Sequence, residues 1–125
     1  MVRILTVEDD AAIRRGIVDA LSFAGYDVIE AANGTDGCAA AVARAYDLLL
    51  LDMVLPGIDG EHLARLLRAD LGCRDVALVG LSASDEPDVR ERALDAGCDE
   101  FLAKPVSPSN LVAAVERYTK HHVGL

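Results

Sequence analysis

The chain has no tryptophan and only three tyrosines and two phenylalanines, so its interior cannot be built around large rings. A hydrophobic content of 52% must come mainly from Leu, Val, Ile and Ala, a composition that suits helices packed closely on a sheet. Basic residues are scarce too: 12 Lys and Arg stand against 21 Asp and Glu, a net charge of -9. Binding to nucleic acid phosphates or to anionic lipid draws on Lys and Arg, so no direct contact with either is expected. The three cysteines, Cys38, Cys73 and Cys98, are odd in number and widely spaced, which fits neither a disulfide framework nor a zinc-ligand pattern; reduced thiols are expected. His62, His121 and His122 form no recognisable ligand set. No apolar run approaches the roughly 20 residues needed to cross a bilayer, and the first residues read into a strand without a basic, apolar leader. A cytoplasmic protein without a membrane anchor is expected. At 125 residues there is room for one sizeable core and not for two, so residues 1–125 are read as a single domain.

Short apolar runs alternate with stretches of helical periodicity. Ile4-Leu5-Thr6-Val7 reads as a strand, followed by a helix on which Ile13, Ile17, Leu21 and Ala24 recur at helical spacing, with Asp10 to cap its start and Gly25 its end. A weaker strand runs from Tyr26 to Ile29, and Asn33-Gly34 leads into an Ala-rich helix from about Thr35 to Ala45. Leu48-Leu49-Leu50-Leu51 is apolar on both faces, as a central parallel strand must be. After Pro56-Gly57 come a helix marked by Leu63, Leu66, Leu67 and Leu71, then a buried strand from Val76 to Leu81. Pro87 opens a fourth helix carrying Val89, Ala93 and Leu94 and stopping at Gly97. Phe101-Leu102-Ala103 make a short strand, and Ser107-Pro108 starts a last helix with Leu111, Val115 and Tyr118 on its inner face.

Five βα units in succession demand a parallel sheet with right-handed crossovers. A closed eight-stranded barrel needs about 250 residues, so a doubly wound (βα)5 fold is expected, flavodoxin-like, with strand order 2-1-3-4-5 and helices on both faces. In such sheets functional groups gather beyond the carboxyl ends of the strands, where the strand order reverses. Those ends carry Glu8-Asp9-Asp10, Asp52, Ser82 and Lys104. With the first and third strands adjacent, Glu8, Asp9 and Asp52 meet across the switch point. Three carboxylates there repel one another unless protons or a cation intervene, and oxygen-only ligation favours Mg²⁺ (or Mn²⁺). Asp10 by itself reads as a helix cap. Asp52 is different, because it ends a run of four leucines, a poor place for a charge with no partner. A carboxylate beside such a cation can attack phosphorus, with Asp52 the best-placed nucleophile. Lys104 supplies a flexible point charge for a phosphoryl oxygen and Ser82 a hydroxyl donor; either alone would read as an ordinary surface or turn residue. Lys104-Pro105 offers a fixed turn, of an isomer that sequence leaves open.

The pieces ILTVEDD with Arg14 following, LLLLDMVLPGIDG, GLSAS and DAGCDEFLAKP stand in an order and at separations that resemble the receiver domain of two-component response regulators, over essentially the whole chain. That resemblance implies that Asp52 is the phosphoacceptor, that Asp9 binds Mg²⁺ directly and Glu8 through water, and that the backbone carbonyl of Val54 is a further ligand. It also implies that Ser82 and Phe101 form a switch pair and that Lys104 contacts the phosphoryl group. The implied protein is a signalling switch and not a turnover enzyme. By the same resemblance, a histidine kinase or histidine phosphotransfer protein would dock near Ile13, Arg14 and Ile17 and donate to it, and the face of helix 4, strand 5 and helix 5 would signal to a downstream protein or effector domain, with a phosphorylation-dependent homodimer allowed. Glu at position 8, Ser at 82 and Phe at 101 stand where the family's pattern also has Asp, Thr and Tyr. Two rivals invoke other chemistry. A phosphatase or mutase of the haloacid dehalogenase type carries a second Asp two residues after its nucleophile, where this chain has Val54. A flavodoxin-like FMN module wants a Ser/Thr/Gly-rich loop after strand 1, where this chain is acidic. A third rival, a docking-only pseudo-receiver, is disfavoured by the presence of every phosphorylation residue.

Overall fold

The computed structural model describes residues 1–69, 73–83 and 87–119; Leu71, Ser84, His121 and His122 lie outside them. The chain order is β1 Arg3–Val7, α1 Ala11–Phe23, β2 Asp27–Ala31, α2 Gly34–Ala43, β3 Leu48–Asp52, α3 Gly60–Ala69, β4 Ala77–Ser82, α4 Pro87–Asp95, β5 Glu100–Ala103 and α5 Pro108–Thr119. The five strands form one sheet in the order β2-β1-β3-β4-β5, every neighbouring pair parallel. The expected doubly wound topology is the one observed.

Strand alternation divides the core between the two faces. Leu48 and Leu50 point with Ile4, Val79 and Leu81 toward Ile17 and Leu21 of α1 and Leu111 and Val115 of α5. Leu49 and Leu51 point with Leu5, Val7 and Phe101 toward α2, α3 and α4, meeting Ala41, Leu63, Leu67 and Ala93. All four leucines of β3 are sealed from solvent, and each contributes about 2 kcal/mol of apolar burial. That buried strand holds Asp52 at its end rigidly.

Three local readings shift for physical reasons. β2 starts one residue later and ends two residues later than its apolar content indicates. It is an edge strand whose Val28 and Ile29 are only half buried, so sheet pairing rather than hydrophobicity sets its limits. Asn33, rather than leading to a helix at Thr35, caps α2 itself, its side chain accepting from the Asp36 amide at 2.8 Å; the helix ends at Ala43, where Arg44 turns extended. Ile13 and Leu94, two of the apolar positions that mark α1 and α4, are exposed. Asp10 does cap α1, accepting from Ile13 N–H at 3.0 Å, and Gly25 and Gly97 take left-handed backbone after α1 and α4.

Candidate functional site

Four strand ends and the starts of α1 and α3 build the site. Glu8 follows β1; its amide donates to the Ala31 carbonyl at 3.0 Å, carrying the β1–β2 pairing one residue beyond the strand. Asp52 ends β3, and its Oδ1 accepts the Val54 N–H at 3.0 Å, an Asx turn that folds the next loop back over the carboxylate. That loop is held from behind by Gly60: a Cβ there would come within 2.2 Å of the Asp52 carbonyl oxygen and 2.5 Å of Met53 Cα. Only glycine lets α3 start so close to the acid. Ser82 ends β4 and is buried; its carbonyl accepts Lys104 N–H at 2.7 Å, fixing the end of β5. The Lys104–Pro105 bond is cis.

Ligating oxygens of Glu8, Asp9 and Asp52 all lie within 4.8 Å of one another. Glu8 is 1% and Asp52 4% exposed, while Asp9 faces solvent. The Lys104 ammonium reaches into the pocket, 2.6 Å from Glu8 Oε1 and 3.0 Å from Asp52 Oδ2. Both carboxylates thus lean on the same ammonium. Glu8 Oε2 accepts the Asp10 N–H at 3.1 Å. Burial raises the Glu8 pKa, opposed by Lys104 and the Asp10 amide and reinforced by Asp52. Burial alone would lower the Lys104 pKa, but the two carboxylates outweigh it and raise the value. Three carboxylates against one ammonium leave two negative charges, the amount a divalent cation neutralises. The donor set suits Mg²⁺: it is all oxygen, and ligands at about 2.1 Å stand at most about 4.2 Å apart, less than 1 Å short of the observed spread. Glu8 and Asp52, buried and sharing one ammonium, are the charges whose cost a cation would relieve.

The residues singled out in the sequence thus divide in two. Glu8, Asp9, Asp52 and Lys104 share one pocket. Ser82, at the end of the neighbouring strand, lines a cavity of about 90 Å³ with Met53, Val54, Glu61, Val89 and Arg92. Phe101 sits one strand away, its ring turned into the core below α4 with the Arg90 guanidinium carbon 5.2 Å from the ring centre. The Val54 side chain is 69% exposed. Periodicity did not reveal the Arg90 contact, nor that Arg14 Nη1 donates to the Glu8 carbonyl at 2.8 Å; Arg14 and Arg15 are adjacent, and only the helix phase set by the Asp10 cap tells them apart.

A family model described as the response regulator receiver domain matches residues 4–116. The chain is 42% identical over 113 residues to the phosphate regulon transcriptional regulatory protein PhoB of Pseudomonas aeruginosa, covering 90% of this chain and 49% of that protein. It is 36% identical over 115 residues to the DNA-binding dual master transcriptional regulator RpaA of Synechocystis, covering 92% and 48%. The chain therefore spans about half the length of these relatives. Among solved structures, the chemotaxis protein CheY4 of Vibrio cholerae superposes with a TM-score of 0.90 at 25% identity, over 94% of this chain and 98% of that one. A CheY-like receiver domain protein of Methanospirillum hungatei gives 0.91 at 27% identity, over 99% and 98%. No helix among the described residues is long and apolar enough to cross a membrane. A five-stranded parallel sheet with its acids gathered at the switch point, and matches that extend over nearly all of the sequence, have one common meaning: this chain belongs to the response regulator receiver domains of two-component signalling systems.

Proposed function

We infer that Asp52 accepts a phosphoryl group from a histidine kinase or a histidine phosphotransfer protein, and that the aspartyl phosphate switches the surface of α4, β5 and α5. The observation that carries this reading is the pocket itself: two buried carboxylates, Glu8 and Asp52, share the single ammonium of Lys104 at 2.6 and 3.0 Å. Asp9, Asp52 and the Val54 carbonyl would hold Mg²⁺ or Mn²⁺ directly and Glu8 through water; when bound, the cation neutralises charge that would repel the donor's oxygens. A carboxylate oxygen of Asp52 forms the new bond to phosphorus while the bond to the donor's leaving atom breaks and that atom keeps the electron pair. Lys104 then exchanges its contact with Asp52 for a phosphoryl oxygen, and the Ser82 hydroxyl donates to another.

The switch follows from those new contacts. They exist only in the phosphorylated state, so they bias Ser82, and through it the packing of Phe101 beneath α4, toward one arrangement. The donor docks beside α1 near Ile13 and Arg14; Ile17, expected beside them, is buried in the core and marks only the helix. The partner downstream is a protein or an effector domain, and catalysis is confined to the chain's own phosphorylation and dephosphorylation, in the cytoplasm. Residues 1–125 act as one receiver unit. Incubation with acetyl phosphate, or with a beryllofluoride salt, and Mg²⁺ tests this by intact mass and NMR. A cation-dependent adduct of one phosphate per chain is expected for the wild type; turnover of a small phosphate ester without such an adduct would overturn the reading.

A further inference from the structure

Arg14 lies outside the pocket yet touches the chain that forms it. It stands on the second turn of α1, only about one-fifth exposed, and its guanidinium serves two acceptors at once. Nη1 donates to the Glu8 carbonyl at 2.8 Å and Nε to Glu30 Oε1 at 2.9 Å. Glu30 is in β2, the neighbour of β1, so the fork ties α1, the end of β1 and the edge strand together. The other restraints on this turn act on different atoms. The Glu8 amide is held by the Ala31 carbonyl at 3.0 Å, its side chain by the Asp10 amide at 3.1 Å. The Glu8 carbonyl opens the peptide unit that leads to Asp9, the most exposed of the three acids, and the side-chain bond to it comes from Arg14 alone among the described residues.

We propose that Arg14 is a positioning residue for the cation site, fixing the Glu8–Asp9 peptide so that the Asp9 carboxylate is presented toward Asp52. This rests on the reading of the pocket as a Mg²⁺ site. The planar fork matters because a guanidinium meets two acceptors with fixed geometry, whereas an ammonium on a flexible stem meets one at a time. Groups that orient metal ligands without touching the metal commonly change affinity by about 10- to 100-fold when removed. Charge alone makes the opposite prediction. Arg14 is a cation near a cation site, so its loss by electrostatics would strengthen Mg²⁺ binding. The sign of the effect therefore separates positioning from charge.

The experiment is a Mg²⁺ titration followed by backbone amide shifts, on wild type, Arg14→Gln, Arg14→Lys and Arg15→Gln. Arg15→Gln removes the same charge from the exposed side of α1. Arg14→Gln is expected to weaken Mg²⁺ binding about tenfold, Arg14→Lys by less, and Arg15→Gln to leave it unchanged or slightly tighter. In metal-free protein, amide hydrogen exchange at Asp10 should speed up in Arg14→Gln and not in Arg15→Gln. With acetyl phosphate, the half-saturating Mg²⁺ concentration should rise while the rate at saturating Mg²⁺ stays near wild type, a split that a loss of folded protein would not produce. Unchanged or tighter binding in Arg14→Gln overturns the proposal, and so does wild-type affinity in Arg14→Lys should the Gln variant not fold. If wild type itself shows no Mg²⁺-dependent shifts at Glu8, Asp9 and Asp52, the reading of the site fails, which is a distinct result from failure of Arg14 within a working site.

Discussion

The two ends of the sheet carry the same kinds of charged residue and treat them in opposite ways. At the amino ends of the strands, acids have donors of their own: Asp27 pairs with Arg3 Nε at 2.9 Å, Asp47 accepts the Arg3 amide at 2.8 Å, and Asp99 accepts both the Leu78 amide at 2.9 Å and Arg68 at 3.0 Å. At the carboxyl ends, Glu8 and Asp52 are buried more deeply; each takes one backbone amide, from Asp10 and Val54, and the two divide one ammonium between them. Burial does not itself distinguish a structural charge from a functional one. The allotment of positive charge does, since two buried carboxylates on one ammonium are costly to the fold and available to a cationic ligand.

Removing the acceptor at the carboxyl end should have the largest effect on function. Asp52→Asn is expected to abolish the phosphoryl adduct seen by intact mass, without lowering the thermal midpoint, because it takes one charge out of a pocket that is over-supplied with them. Retention of the adduct at another residue would contradict the assignment. At the amino end the counterpart is Arg68. Its guanidinium donates to the carbonyls of Gly97, Cys73, Arg74 and Val76 and to Asp99. Its stem lies so close to Gly97 that a Cβ there would meet Arg68 Cγ at 2.6 Å. Arg68→Ala strands several of these acceptors at once and should cost about 2–4 kcal/mol in urea denaturation. The fraction that remains folded should still be phosphorylated at the wild-type rate. A loss below about 1 kcal/mol would mean that water replaces the arginine freely.

How much of this contrast sequence reveals depends on which physics wrote it. The strands, their order and the pocket were legible because Leu48 to Leu51 can only be a two-sided buried strand, and topology then dictates what meets at its end. Expecting Glu8, Asp9, Asp52 and Lys104 together required no more than that. Arg68 was invisible: its partners are mostly backbone carbonyls in loops, and main-chain acceptors leave no mark in side-chain pattern. The exposure of Ile13 and Leu94 was hidden for a related reason, since periodicity marks a stripe but not how far the neighbouring helix covers it. β2 was placed early because an edge strand takes its limits from its partner.

The middle prediction concerns the cost of the functional end. Burial raises the folded-state pKa of Glu8 above its ordinary 4.5, so its contribution to stability is fully present below pH 4.5 and is lost as pH rises through the raised value. At neutral pH its charge therefore works against the fold. Glu8→Gln should raise metal-free stability at pH 7 by up to about 1 kcal/mol and flatten the pH dependence just above 4.5. The same change should weaken Mg²⁺ binding at least about tenfold. If Glu8→Gln is less stable at pH 7, the ion pair with Lys104 outweighs burial, and the carboxyl end is not the strained one.

The smallest effect is expected from the most regular-looking ion pair of the amino end. Arg3 and Asp27 meet at 2.9 Å, but their side chains are 39% and 37% exposed, and pairs this open to water are commonly worth less than about 1 kcal/mol. Asp27→Asn should shift stability by no more than about 0.5 kcal/mol at low salt and by nothing measurable at 1 M salt, where screening acts over about 3 Å. Arg68, about half as exposed as Arg3 and bonded mainly to neutral carbonyls, should keep its effect at high salt. Equal salt sensitivity of the two variants would mean that the amino end is held by charge. A difference between them would mean that it is held by hydrogen bonds in which Arg68 serves chiefly as a planar donor, and that only the carboxyl end is governed by charge.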